Sequence, residues 1–117
     1  MKAIVYHNYG SPDVLKLEEV KKPTPRDDEV LIKIHAVSVN RSDWEGLTGK
    51  PLYTRLGGLL KPREHILGSD IAGRVEMVGK SNQQFQLGDD VFGELAGYGG
   101  GFAEYVCARG NFLALKP

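Results

Sequence analysis

The placement of glycine limits this chain more than any other feature. Fifteen of its 117 residues are Gly, yet only Gly10 precedes Gly46, and the remaining fourteen fall from Gly46 to Gly110. An interior glycine weakens a helix by roughly 1 kcal/mol, whereas it lets a chain turn sharply or lets two backbones approach closely. The apolar pattern agrees, because no helical period persists and short alternating runs recur between turn residues. These are Lys2 to Asn8, Val14 to Val20, Glu29 to Val39, Ile66 to Gly79, Val91 to Ala96, Phe102 to Ala108 and Phe112 to Leu115. Such spacing predicts a small β-barrel or partly open β-sandwich.

Glu29 to Val39 is the strongest strand signal, with Val30, Ile32, Ile34 and Ala36 on one face and Leu31, Lys33, His35 and Val37 on the other. In the run from Ile66 to Gly79, alternation places Ile71, Val75 and Met77 together, with Gly73 among them. The first two runs read as a hairpin. Lys21 to Asp28, with Pro23 and Pro25, reads as an extended connector within one domain. Arg41 to Leu47 allows one or two helical turns with Ser42 and Asp43 as caps, and Gly46 to Arg63 reads as a long surface loop with four basic and no acidic residues.

Composition removes several functions. Fifteen basic and fifteen acidic residues leave no net charge, so the field that concentrates nucleic acid or an anionic membrane is missing. No apolar run approaches the ~18 residues of a membrane span. The expectation is a soluble, cytoplasmic protein without nucleic-acid or membrane partners. Cys107 stands alone, which excludes an internal disulfide and a cysteine-rich zinc module.

Three apparent motifs fail. Gly79-Lys80-Ser81 lacks the earlier glycine and the helix of a phosphate loop. AGYGGGFAEY fits no dinucleotide register and precedes no helix, so its glycines read as a flexible loop between strands. His7, His35 and His65 stand far apart, with metal spacing absent, and read as strand or loop histidines. Asn40-Arg41-Ser42-Asp43-Trp44 is the exception: an amide, a guanidinium, a hydroxyl, a carboxylate and an indole follow the best strand. These residues suit either an active-site wall or a capped turn anchored by Trp44. Trp44, Leu47, Leu52, Tyr53 and Leu56 likewise suit either an apolar pocket or a cover for the barrel end.

Taken in order, MKAIVYHNYGSPDVLKLEEV, HAVSVNRSDW, ILGSDIAGRVEMVG, LGDDVFG and GGFAEYV resemble the N-terminal GroES-like domain of the medium-chain dehydrogenase/reductase superfamily, in particular its zinc-independent quinone oxidoreductase-like branch. The resemblance implies a mainly β fold, a pinched β-barrel with one or two short helical turns over residues 1–117. It also implies a cofactor-binding Rossmann domain outside this chain, which would then be a fragment, inactive alone. Where zinc-dependent members carry a cysteine ligand this chain has Asn40, and where they carry a histidine it has Ser69. Oxygen donors of amide and hydroxyl type are weak for Zn²⁺, so no catalytic zinc is expected.

The implied activity is NAD(P)H-dependent reduction of quinones, enones or related carbonyls, since a conjugated acceptor disperses the arriving charge without a Lewis acid. The resemblance implies catalytic roles for Asn40, Ser42 and Asp43, cofactor contacts from Asn40, Arg41 and Asp43, and a substrate pocket including Trp44 and Tyr53. NADP or NAD would be held mainly by the missing domain, and the full-length form would be a homo-oligomer. Zinc-free relatives often carry Tyr two positions after the Asp43 equivalent, where this chain has Glu45; Tyr53 and Tyr98 are the other local phenols. Two alternatives stay open: a zinc alcohol dehydrogenase with atypical ligands, and a free-standing GroES-like binding or assembly module.

Overall fold

A computed structural model describes residues 1–39, 41–49, 66–82, 84–95 and 100–116, with backbone alone at Arg41, Ser42 and Gly46. It contains β1 (Lys2–Val5), β2 (Lys16–Glu19), β3 (Glu29–Ser38), α1 (Arg41–Thr48), β4 (Asp70–Val78), β5 (Asp90–Glu94), β6 (Tyr105–Arg109) and β7 (Leu113–Leu115). Every named strand pair is antiparallel. β1 and β2 form the expected hairpin, joined through a 3₁₀ turn at Pro12–Val14, and the other five strands form one sheet in the order β6-β3-β4-β5-β7. Single bridges at Ala3–Ala103 and Val5–Ile66 tie β1 to the larger sheet's connections. The fold is mainly β, as expected, and among the described residues the two sheets do not close into one continuous ladder.

Two β-bulges decide which side chains enter the core. Ile34 pairs with Gly73 and the next pair is Ala36 with Ala72, so His35 is the extra residue on β3. Side chains alternate with period two, and one inserted residue therefore moves every later side chain to the opposite face. Val37 packs against the core with Ile34, while Ala36 is exposed, the reverse of simple alternation. On β4 the pairs Leu31–Met77 and Ile32–Val75 make Glu76 the extra residue. Met77 is consequently 47% exposed rather than buried beside Val75.

The principal core comprises Val30, Ile32, Ile71, Val75, Phe85, Val91, Leu95, Val106, Ala108 and Leu113. A second cluster joins Tyr6, Leu47 and Leu67, with Tyr9, Val14, Leu15 and Phe102 against it. This cluster packs α1 onto the hairpin, and the Gly10 N–H donates to the Leu47 carbonyl at 3.0 Å. Leu47 therefore covers one end of the fold rather than facing a ligand.

Gly79-Lys80-Ser81 is the expected polar turn, with the Gly79 N–H on the Glu29 carbonyl and the Ser81 N–H on the Asp27 carbonyl. The glycine cluster differs from expectation at its described end. The Gly100, Gly101 and Phe102 N–H groups donate to the carbonyls of Ile66, Gly68 and Leu67. These glycines make a close backbone junction, where a Cβ on Gly101 would meet the Gly68 carbonyl oxygen at 2.5 Å. Among the described residues no helix is long and apolar enough to cross a membrane.

Candidate functional site

Strand register brings two separate sequence segments to one place. Ser38 pairs with Asp70 across β3 and β4, so the chain leaving β3 toward Asn40 and the chain entering β4 through Gly68 and Ser69 emerge at the same end of the sheet. α1 begins at Arg41, which puts its first turn at that end. Asp43 and Leu47, four residues apart, are both buried and define the inward side of the helix. Trp44 is 56% exposed. Helix termination is local: the Thr48 hydroxyl donates to the Trp44 carbonyl at 2.9 Å, and Gly49 follows with a φ of 66°, the left-handed conformation that ends many helices.

Asp43 is not a cap, since the helix starts two residues before it. Its side chain is buried, with the residue 3% exposed, and its Oδ1 accepts the backbone N–H of Gly68 at 3.0 Å. Gly68 has a φ of 98°, and a Cβ there would approach the Phe102 nitrogen to 2.8 Å. Ser69 is 1% exposed, and its carbonyl accepts the Leu95 N–H at 2.6 Å. Among the described residues no buried side-chain nitrogen or oxygen lacks a partner. The polar groups here are thus built into the fold, consistent with the cost of burying an unsatisfied one.

The sequence-predicted residues divide accordingly. Asp43 and Trp44 lie on α1, one inside and one outside, while Arg41 and Ser42 occupy the first turn of that helix by their backbone. Asn40, Tyr53 and Tyr98 lie outside the described residues, as do His65, Leu52, Leu56 and the loop beyond Gly49. His7 and His35 are exposed, and His7 Nε2 lies 3.3 Å from the Glu18 carboxylate. Cys107 on β6 is half-buried, its thiol pushed up to about 11 by burial first and by the charge of Glu29 second. An unreactive packing residue has that character.

A groove of about 530 Å³ adjoins the same end, lined by Ala36, Ser38, Asp70, Ala72, Phe92 and Glu94 among others. Ala36, Ala72 and Phe92 are neighbours across the ladder and give it an apolar floor. Sequence reading missed this groove, because the His35 bulge is what turns Ala36 outward. Among the described residues no three His, Cys, Asp or Glu side chains converge as a metal site would require.

Residues 26–117 match the family model described as the alcohol dehydrogenase GroES-like domain. The chain is similar to the quinone-oxidoreductase homolog, chloroplastic, of Spinacia oleracea, at 38% identity over 123 residues covering 100% of this chain and 35% of that protein. It is also 36% identical over 125 residues to the NADPH-dependent alkenal/one oxidoreductase, chloroplastic, of Arabidopsis thaliana, covering 100% of this chain and 31% of that one. Among solved structures, the quinone oxidoreductase from Coxiella burnetii superposes with a TM-score of 0.87 at 33% identity, covering 100% of this chain and 37% of the other. The chain thus spans about a third of the length of these relatives. On the family match and the register of its strands together, this chain belongs to the alcohol dehydrogenase GroES-like domain family.

Proposed function

We propose that this chain is the substrate-side domain of a longer oxidoreductase that reduces quinones, enones or related carbonyls by hydride transfer from NADPH. The observation that carries the reading is the meeting of the two segments that in zinc-dependent members supply metal ligands: Asp43 is bonded to Gly68, but amide and hydroxyl residues stand at the ligand positions. Relatives named for quinone and NADPH-dependent alkenal/one oxidoreduction support the same acceptor class and cofactor. The described strand pairs are all antiparallel, and in this reading the parallel βαβ unit that binds a pyrophosphate belongs to a further domain. When bound, the nicotinamide supplies the hydride.

In this reading the chain's own residues form one wall of the cleft. The Asn40 carboxamide and the Ser42 hydroxyl offer N–H and O–H donors to the acceptor oxygen as it gains negative charge. Arg41 offers a guanidinium to a cofactor phosphate. Trp44 presents an exposed indole and Tyr53 a phenol for the flat face of an unsaturated acceptor, with Asp43 buried in the same helical turn. A quinone gains the hydride and one proton and leaves as the hydroquinone. Its charge spreads through the conjugated ring at the barrier, and no zinc is needed. The intact protein is read as a cytoplasmic homo-oligomer with a small-molecule substrate and no nucleic-acid or membrane partner.

The test follows NADPH absorbance with the full-length protein and three acceptors: a p-quinone, an α,β-unsaturated ketone and a saturated aldehyde. The expected result is turnover of the two conjugated acceptors and little of the aldehyde. Efficient interconversion of saturated alcohol and aldehyde, with no conjugated acceptor reduced, would contradict it.

A further inference from the structure

We infer that Asp43 acts as a positioning residue, fixing the Gly68-Ser69 segment against α1 through the placement of its Oδ1 atom. This inference rests on the reading of function above. A buried carboxylate is costly unless its oxygens are hydrogen-bonded, and this one reaches across the fold to the Gly68 N–H at 3.0 Å. On its other side the receiving segment is tied by backbone hydrogen bonds. Gly68 accepts from the Gly101 N–H at 2.8 Å, and Ser69 accepts from the Leu95 N–H at 2.6 Å. Its conformation admits no side chain at Gly68, so it has no rotamer with which to adjust.

The bond consequently sets where α1 sits relative to Gly68-Ser69, and with it the backbone of Arg41 and Ser42 in the first turn of that helix. Misplacing reacting groups by about 1 Å can cost on the order of a hundredfold in rate, so a tie of this kind acts on turnover without touching substrate. An N–H donor requires an acceptor oxygen at the right place. A carboxamide oxygen fills that place without the charge, whereas a longer carboxylate carries the charge and misplaces the oxygen.

Three variants of the full-length protein separate the roles: Asp43→Asn, Asp43→Glu and Asp43→Ala. Each is read by kcat and KM for a p-quinone, by thermal midpoint, and by hydrogen exchange of peptides spanning residues 66–70. Asp43→Ala is expected to lower kcat by about tenfold or more with a smaller change in KM, and to speed exchange in that segment. Asp43→Asn is expected to recover kcat to within about threefold and to restore protection, and Asp43→Glu to resemble Asp43→Ala. Should Asp43→Ala not fold, the Asn and Glu pair alone decides. The inference is overturned if Glu rescues and Asn does not, which would make the charge the active feature. It is equally overturned if the variants change only the thermal midpoint, leaving kcat and local exchange as they were. If the wild-type protein reduces no acceptor, the functional reading fails, and the exchange data by themselves decide whether Asp43 holds Gly68.

Discussion

Single atoms set the limits at Gly73 and Cys107. A Cβ on Gly73 would collide with the Lys33 carbonyl oxygen and approach Ile32 to 2.7 Å, and backbone oxygen cannot move aside within a ladder. Gly73→Ala is therefore expected to destabilise the protein by on the order of 3 kcal/mol, the range of severe core overpacking, seen as a lower thermal midpoint or loss of soluble protein. An unchanged midpoint would show that the two strands separate more easily than their register implies. Cys107, with its thiol pushed up to about 11, holds its proton through neutral pH. Iodoacetamide at pH 8 should label it about a hundredfold more slowly than an unhindered thiol. Because the native thiol binds its proton more tightly than the unfolded one, this residue's contribution to stability is complete below the unfolded value and declines as pH rises through about 11. A labelling rate matching a free thiol would refute the burial.

At the scale of elements, the seven strands among the described residues were legible because each is a short alternating run bounded by glycine, proline or paired polar residues. The faces were only partly legible. Alternation groups Ala36 with Val30 and Ile32, and Met77 with Ile71 and Val75, and the bulges at His35 and Glu76 turn both outward, because an inserted residue leaves no mark in a hydrophobic pattern. Replacing Val37, which packs against the core, by Ala should cost about 1–2 kcal/mol, while Ala36→Ser should be nearly neutral, both read from thermal midpoints. The opposite ranking would mean that strand β3 runs without its bulge. Helix α1 was legible as a short turn from its polar start and Gly49, but the inward aim of Asp43 was not. That aim depends on Gly68, a partner 25 residues away, and a local capping rule cannot anticipate it.

The whole molecule joins a five-stranded sheet to a hairpin through a second apolar cluster, and this joint holds α1 beside the start of β4. The family resemblance of the two segments was legible from their residue types, whereas their adjacency follows from the pairing of Ser38 with Asp70. Trp44 stands outward at this end. Trp44→Ala in the full-length protein should raise KM for an aromatic quinone by about tenfold, with a smaller effect on kcat; an unaffected KM would remove the indole from the acceptor site. The most direct test of the central claim is the p-quinone reductase activity of full-length protein stripped by a strong chelator, measured with NADPH beside its zinc content. Full activity with far less than one zinc per chain is the result predicted here. Activity that disappears on stripping and returns with one stoichiometric zinc would contradict it.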